Sequence, residues 1–167
     1  AQYIKSQSSY LYVLEQSEGS RCTKLSRYDS TTLDEKTIEL LPYGGSRTSV
    51  WALNCYASVD GMAVSADSVL CIGTTIDQSQ YDNVTSDTPH NIYLTITPVS
   101  DFSKEATSVK YLTNYTGNGK SFMGVKITPI TENRFMISWE EYENTDDSSS
   151  ENYASADDSL SSSTLHY

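Results

Sequence analysis

The chain has 167 residues, 22 Asp and Glu against 11 Lys and Arg, a formal charge of −11, and 37% apolar residues. That is enough apolar material for a folded core, which excludes wholesale disorder. The acidic balance argues against nucleic acid and anionic membrane surfaces, both of which need Lys/Arg clusters, and no run approaches the roughly 18 apolar residues of a membrane span.

Sustained helical stripes are absent. Short runs of β-branched and aromatic residues recur instead, bounded by Gly, Asn, Asp, Ser or Pro. In chain order the expected strands are 9–16, 22–28, 37–41, 49–57, 68–76, 91–99, 107–114, 121–130, 134–142 and 162–167. Tyr dominates the aromatics, with 13 against 3 Phe, which suits strands with polar faces. The fold class is therefore all-β.

Between the last two strands runs an acidic, Ser-rich stretch, residues 144–161. It holds few apolar residues and is too long for a tight hairpin, so a flexible loop is expected. Asp146, Asp147, Asp157 and Asp158 do not follow the spacing of a calcium loop, so no metal site is read there.

Three cysteines, Cys22, Cys55 and Cys71, are too few and too widely spaced for a disulfide framework or a zinc site. Buried thiols are the plain reading, and a Cys55–Cys71 bridge is the alternative if their strands are neighbours. Two Asn-x-Thr sequons, at Asn83 and Asn114, are candidate glycosylation sites in or beside loops. The chain begins at Ala1 rather than Met, which suggests a removed leader or a longer precursor. An extracellular or cell-surface location is the expectation.

An internal repeat organises these strands. VSADSVLCIGTTID (64–77) aligns with ITENRFMISWEEYE (130–143) at an offset of 134 − 68 = 66 residues, placing Val64 on Ile130 and Val69 on Phe135. A weaker copy, QSSYLYVLEQSE (7–18), puts Tyr10 on Val69. Residues 36–58 likewise resemble 107–130, with Ile38 on Val109, Leu41 on Leu112, and Val50-Trp51-Ala52 on Phe122-Met123-Gly124. The units fall at about 1–47, 48–114 and 115–167. Long apolar strands, 49–57 and 121–130, would be innermost, and Ala52 and Gly124 would suit a crowded axis. On this phasing the first unit lacks its inner strand and the last its outer one.

This four-stranded cycle resembles the degenerate blades of extracellular β-propeller proteins, without the Gly-His and Trp-Asp signature of WD repeats or the double-glycine signature of kelch repeats. The resemblance implies blades of four antiparallel strands. Propellers close with about four to eight blades, and the chain supplies three, so an incomplete ring is expected. Other protein chains, identical or not, would complete it or form a polymer. A β-sandwich is the alternative architecture.

Signatures of catalysis fail in turn. His90 and His166 are the only histidines, and no nucleophile elbow supports a Ser-His-Asp set. YTGNGKS (115–121) lacks P-loop spacing and precedes a strand. SVDGMAVS (58–65) opens like the Asp box of propeller glycosidases, but Gly61 is misplaced and no Trp follows. Glu140 and Glu141 are adjacent on a strand and so face opposite ways. Trp139 shares a strand face with Phe135 and Ile137 and is expected in the core. Tyr43 and Tyr115 occupy equivalent loops and are the candidate binding residues, with glycans as a candidate ligand. The expected function is non-catalytic recognition, adhesion or assembly, with no cofactor. The alternatives are a fragment of a glycan-processing enzyme and a stand-alone lectin-like domain.

Overall fold

The computed structural model describes residues 2–16, 23–40, 56–75, 89–116, 120–143 and 163–166. Every regular element among them is a strand: β1 (Gln2–Gln7), β2 (Tyr10–Gln16), β3 (Thr23–Asp29), β4 (Glu35–Glu39), β5 (Tyr56–Val64), β6 (Ser68–Thr75), β7 (Asn91–Pro98), β8 (Ser108–Tyr111), β9 (Lys120–Thr131), β10 (Arg134–Glu143) and β11 (Ser163–His166). They form three antiparallel meanders: a first sheet β1-β2-β3-β4, a middle sheet β5-β6-β7-β8 and a third sheet β9-β10-β11. The three sheets close into no barrel or ring among the described residues. All-β architecture therefore holds.

Turn chemistry sets the hairpins. Ser65 Oγ accepts hydrogen bonds from the amides of Asp67 and Ser68, at 3.3 and 3.0 Å, and fixes the β5–β6 connection. The β9–β10 turn joins Thr131 to Arg134 through Glu132 and Asn133. After β3, the Asp29 carboxylate accepts from the amides of Thr31 and Thr32, at 2.8 and 3.0 Å. Those two bonds favour the ionised carboxylate and hold its pKa below the usual value.

Two expectations change. QYIKSQ forms β1, paired with β2 from Gln2↔Glu15 to Gln7↔Tyr10, so the first sheet does not lack its first strand. Its single Ile among polar neighbours carries too little apolar signal to register as a strand. The strand expected at 49–57 lies mostly outside the described residues, and the first strand of the middle sheet runs over Tyr56–Val64. Pairing there jumps from Ala57↔Gly73 to Met62↔Cys71. That irregularity breaks the alternation by which a strand is recognised.

A second irregularity lies in β9. Pairing shifts from Ser138↔Lys126 to Glu140↔Met123, leaving an extra residue on β9, and Gly124 sits in this interval at φ 63°. A bulge led by a left-handed glycine explains both features. Crowding does not explain the glycine, since a Cβ at Gly124 would meet nothing within 4 Å. Gly124→Ala should cost about 1–2 kcal/mol through backbone conformation alone. Gly124→Asn should cost less, because Asn tolerates the left-handed region. Urea midpoints of the two variants test this, and equal losses would argue against φ as the cause.

Two clusters make the core. Tyr12, Leu14, Leu25 and Ile38 of the first sheet pack on Met62, Val69 and Cys71 of the middle sheet, with Phe102 from the β7–β8 connection. The opposite face of the middle sheet, with Leu70, Ile72, Ile92 and Leu94, packs on Val125 and Ile127 of β9 and on Phe135, Ile137 and Trp139 of β10. Trp139 thus lies where the sequence places it. The middle sheet is covered on both faces, so β6 and β7 are buried at nearly every position, whereas Ile38 in β4 is buried between exposed Thr37 and Glu39. Packing also corrects the weak repeat copy. Tyr10 faces the middle sheet, while Val69 faces back toward the first, so pairing them is one residue out and exchanges the faces.

Polar contacts tie the sheets together. Tyr93 Oη donates to Thr23 Oγ1 at 3.2 Å inside the first interface. The Arg27 guanidinium carbon lies 4.4 Å from the Tyr10 ring centre and 4.7 Å from that of Phe102, and Nη1 donates to the Val99 carbonyl at 3.0 Å. A cation over two aromatic faces adds roughly 1–2 kcal/mol of attraction. The closest approaches between sheets involve chiefly the first strands: β5 runs beside both β1 and β9. The sheets therefore converge along β1, β5 and β9.

Candidate functional site

Tyr115 lies just beyond β8, on a segment held by Asn91. Asn91 is fully buried at the start of β7. Its Oδ1 accepts from the Tyr115 amide at 2.7 Å and from Thr113 Oγ1 at 2.9 Å, and its Nδ2 donates to the Tyr115 carbonyl at 3.3 Å. The Tyr115 hydroxyl donates to Glu141 Oε2 of β10 at 2.5 Å. Burial, and then the adjoining carboxylate, push the Tyr115 pKa well above its usual value. Tyr115 therefore links the middle and third sheets, with part of its ring still accessible.

The other expected site residues are scattered. Asn114 is exposed beside Tyr115, an accessible position for a glycan. Cys71 is a free thiol enclosed in the first interface, and burial pushes its pKa up to about 12. Burial also lowers the pKa of His90 and favours its neutral form. Tyr43, Asn83 and Cys55 lie outside the described residues, as do the acidic stretch 144–161 and its four aspartates. Glu141 faces Tyr115, and Glu140 is the residue before it on the strand, so the structure does not bring the two carboxylates to one point.

A cleft of about 290 Å³ opens where the first strands converge. Buried Met62 and Ala63 of β5 and Ile127 of β9 give it an apolar floor. Exposed Lys5 of β1 and Lys126 of β9 stand at its edges, with Thr128 beside Lys126. Among the described residues, no acidic one lines it. In a chain of net charge −11 this is a local concentration of positive charge beside apolar surface. It can attract an anion and cover an apolar group.

Neither lysine stands out in the sequence. Each is a single basic residue within a strand, in YIKSQ and GVKIT, and only the pairing registers and sheet packing bring the two strands to one cleft. The presence of β1 and the apolar neighbours of Lys126 are the available signals. Comparison with protein-family models, curated proteins and solved structures finds no match.

Proposed function

We propose that the chain is a non-catalytic recognition and assembly module, and that its three sheets are blade-like units of an incomplete ring. One observation carries this reading. The central strands of the middle sheet, β6 and β7, are buried on both faces, while equivalent positions on the outer sheets face solvent. Leu70, 8% exposed beneath the third sheet, corresponds by the internal repeat to Met136, which is 40% exposed. On the outer face of the first sheet, Ile4 is 58% exposed beside half-buried Val13, its partner across the ladder. Ile130, 62% exposed, adds to the apolar surface of the third sheet.

A second copy is the natural occupant, because the chain already packs one sheet face on the next in a repeated order. The third sheet of one copy would meet the first sheet of another, continuing that stack head to tail. Exposed Asn114 and the acidic surface support an extracellular setting, where half-exposed tyrosines such as Tyr115 offer contact area to protein or glycan partners.

Light scattering during size exclusion tests the assembly. A discrete multimer or filament is expected, and Met136→Glu should shift it to monomer while leaving the thermal transition of the monomer nearly unchanged. A wild-type monomer at all concentrations, or a Met136→Glu variant of unchanged mass, would refute it.

A further inference from the structure

We propose that the cleft at the convergence of β1, β5 and β9 binds a small organic carboxylate with a short apolar tail. Its volume, about 290 Å³, lies at the lower end of small-ligand sites and suits a molecule of a few carbons rather than a cofactor. Lys5 and Lys126 supply positive charge from two different sheets, so the site exists only when the first and third sheets are both packed on β5. Among the described residues, no side chain forms an ion pair or hydrogen bond with either ammonium group. Beneath them Met62, Ala63 and Ile127 offer apolar contact, each at most 3% exposed.

The chemistry favours a carboxylate over a phosphate. Phosphate sites gather backbone amides at a turn or helix start, or the fork of an arginine. Here the described lining holds no helix start and no arginine, and the cations are two lysines, which act as point charges. A compact single charge with an apolar tail matches that supply. Among the described residues the lining holds no carboxylate, imidazole or thiol to activate the Ser6 or Thr128 hydroxyl, which favours a ligand that is held and not transformed.

Sodium hexanoate is the probe, with inorganic phosphate and hexanamide as comparisons, followed by calorimetry and by amide shifts in labelled protein. Hexanoate should move the amides of residues 62–64 and 126–128. The double variant Lys5→Gln/Lys126→Gln should bind about tenfold more weakly, and added salt should weaken the wild type in the same direction. Both lysines are exposed, so this variant should keep the wild-type unfolding curve. Should it unfold, the shift map of the wild type decides alone. Shifts elsewhere or none, equal binding by folded wild type and double variant, or phosphate binding as tight as hexanoate would each overturn the proposal. Calorimetry reads the ligand and light scattering reads the mass, so this site and the head-to-tail assembly fail separately.

Discussion

Ile72→Ala is expected to lower the unfolding free energy by about 2–5 kcal/mol, the range for truncating a large aliphatic side chain inside a packed core. Ile4→Ala, at a concentration where the chain is monomeric, should stay within about 0.5 kcal/mol of wild type. The side chains are identical, and their surroundings differ. Ile72 is 0% exposed between the middle sheet and β9–β10, so its loss leaves a cavity whose walls belong to two sheets. Ile4 lies on the uncovered face of the first sheet. Urea unfolding of both variants makes the comparison. Equal losses would mean that the third sheet does not cover the middle one in solution. Raising the protein concentration adds a second reading, since assembly would cover Ile4 and make its truncation costlier.

Asn91→Ala should cost about 3 kcal/mol, because one buried amide serves three polar groups and each group left unpaired costs roughly 1–3 kcal/mol unless water reaches it. Asn91→Asp keeps the acceptor for Tyr115 and Thr113 but sets a carboxylate against the Tyr115 carbonyl, so it should not rescue fully. The pH profile gives an independent check. Tyr115 has its pKa raised in the folded state, above the ordinary value of 10.0. Its contribution is therefore complete below pH 10.0 and is lost as the pH rises above that value. Tyr115→Phe should flatten the alkaline fall in stability. An unchanged alkaline limb would show that in solution Tyr115 is neither buried nor bonded to Glu141 as described. On the acid side the sign reverses. Asp29 and Glu35 have lowered pKa values, so their contributions are present above the ordinary values of 3.8 and 4.5 and are lost as the pH falls through and below them.

The fold was legible where alternation and turn chemistry coincide. Val64 to Thr75 and Ile130 to Glu143 announce the hairpins of two sheets, because Ser65 and the Glu132-Asn133 turn interrupt apolar runs. Strand existence was clear for β6 and β7, whose uninterrupted apolar and Thr residues reflect burial on both sides. Legibility failed where backbone irregularity decided the outcome. The shift opposite Ile72 hides β5, and the bulge at Gly124 gives that glycine a conformational role that a crowded axis only imitates. Face assignment in the first sheet failed for a simpler reason: a slip of one residue exchanges Tyr10 for Leu11, and both are apolar enough to fit. Candidate functional residues were harder still. Tyr115 can be named from its loop, but its bond to Glu141 depends on how two sheets pack. Lys5 and Lys126 meet one cleft through three-dimensional convergence, which no local pattern encodes.

The meander order has a kinetic consequence. In the described residues every ladder joins strands adjacent in sequence, so each sheet can zip from its own hairpins without waiting for distant chain. Closing the Ser8-Ser9 or Glu132-Asn133 turn orders few residues, and hairpins of this kind form in roughly 1–10 μs. Docking of sheet on sheet is then the slower event, and it can follow the order of synthesis: the first sheet emerges, the second covers it, and the third seals the face that carries Ile72 and Leu94. Until that last step the nascent chain exposes the apolar face of Leu70, Ile72, Ile92 and Leu94, which makes the interval between β8 and β10 a period of exposure to aggregation.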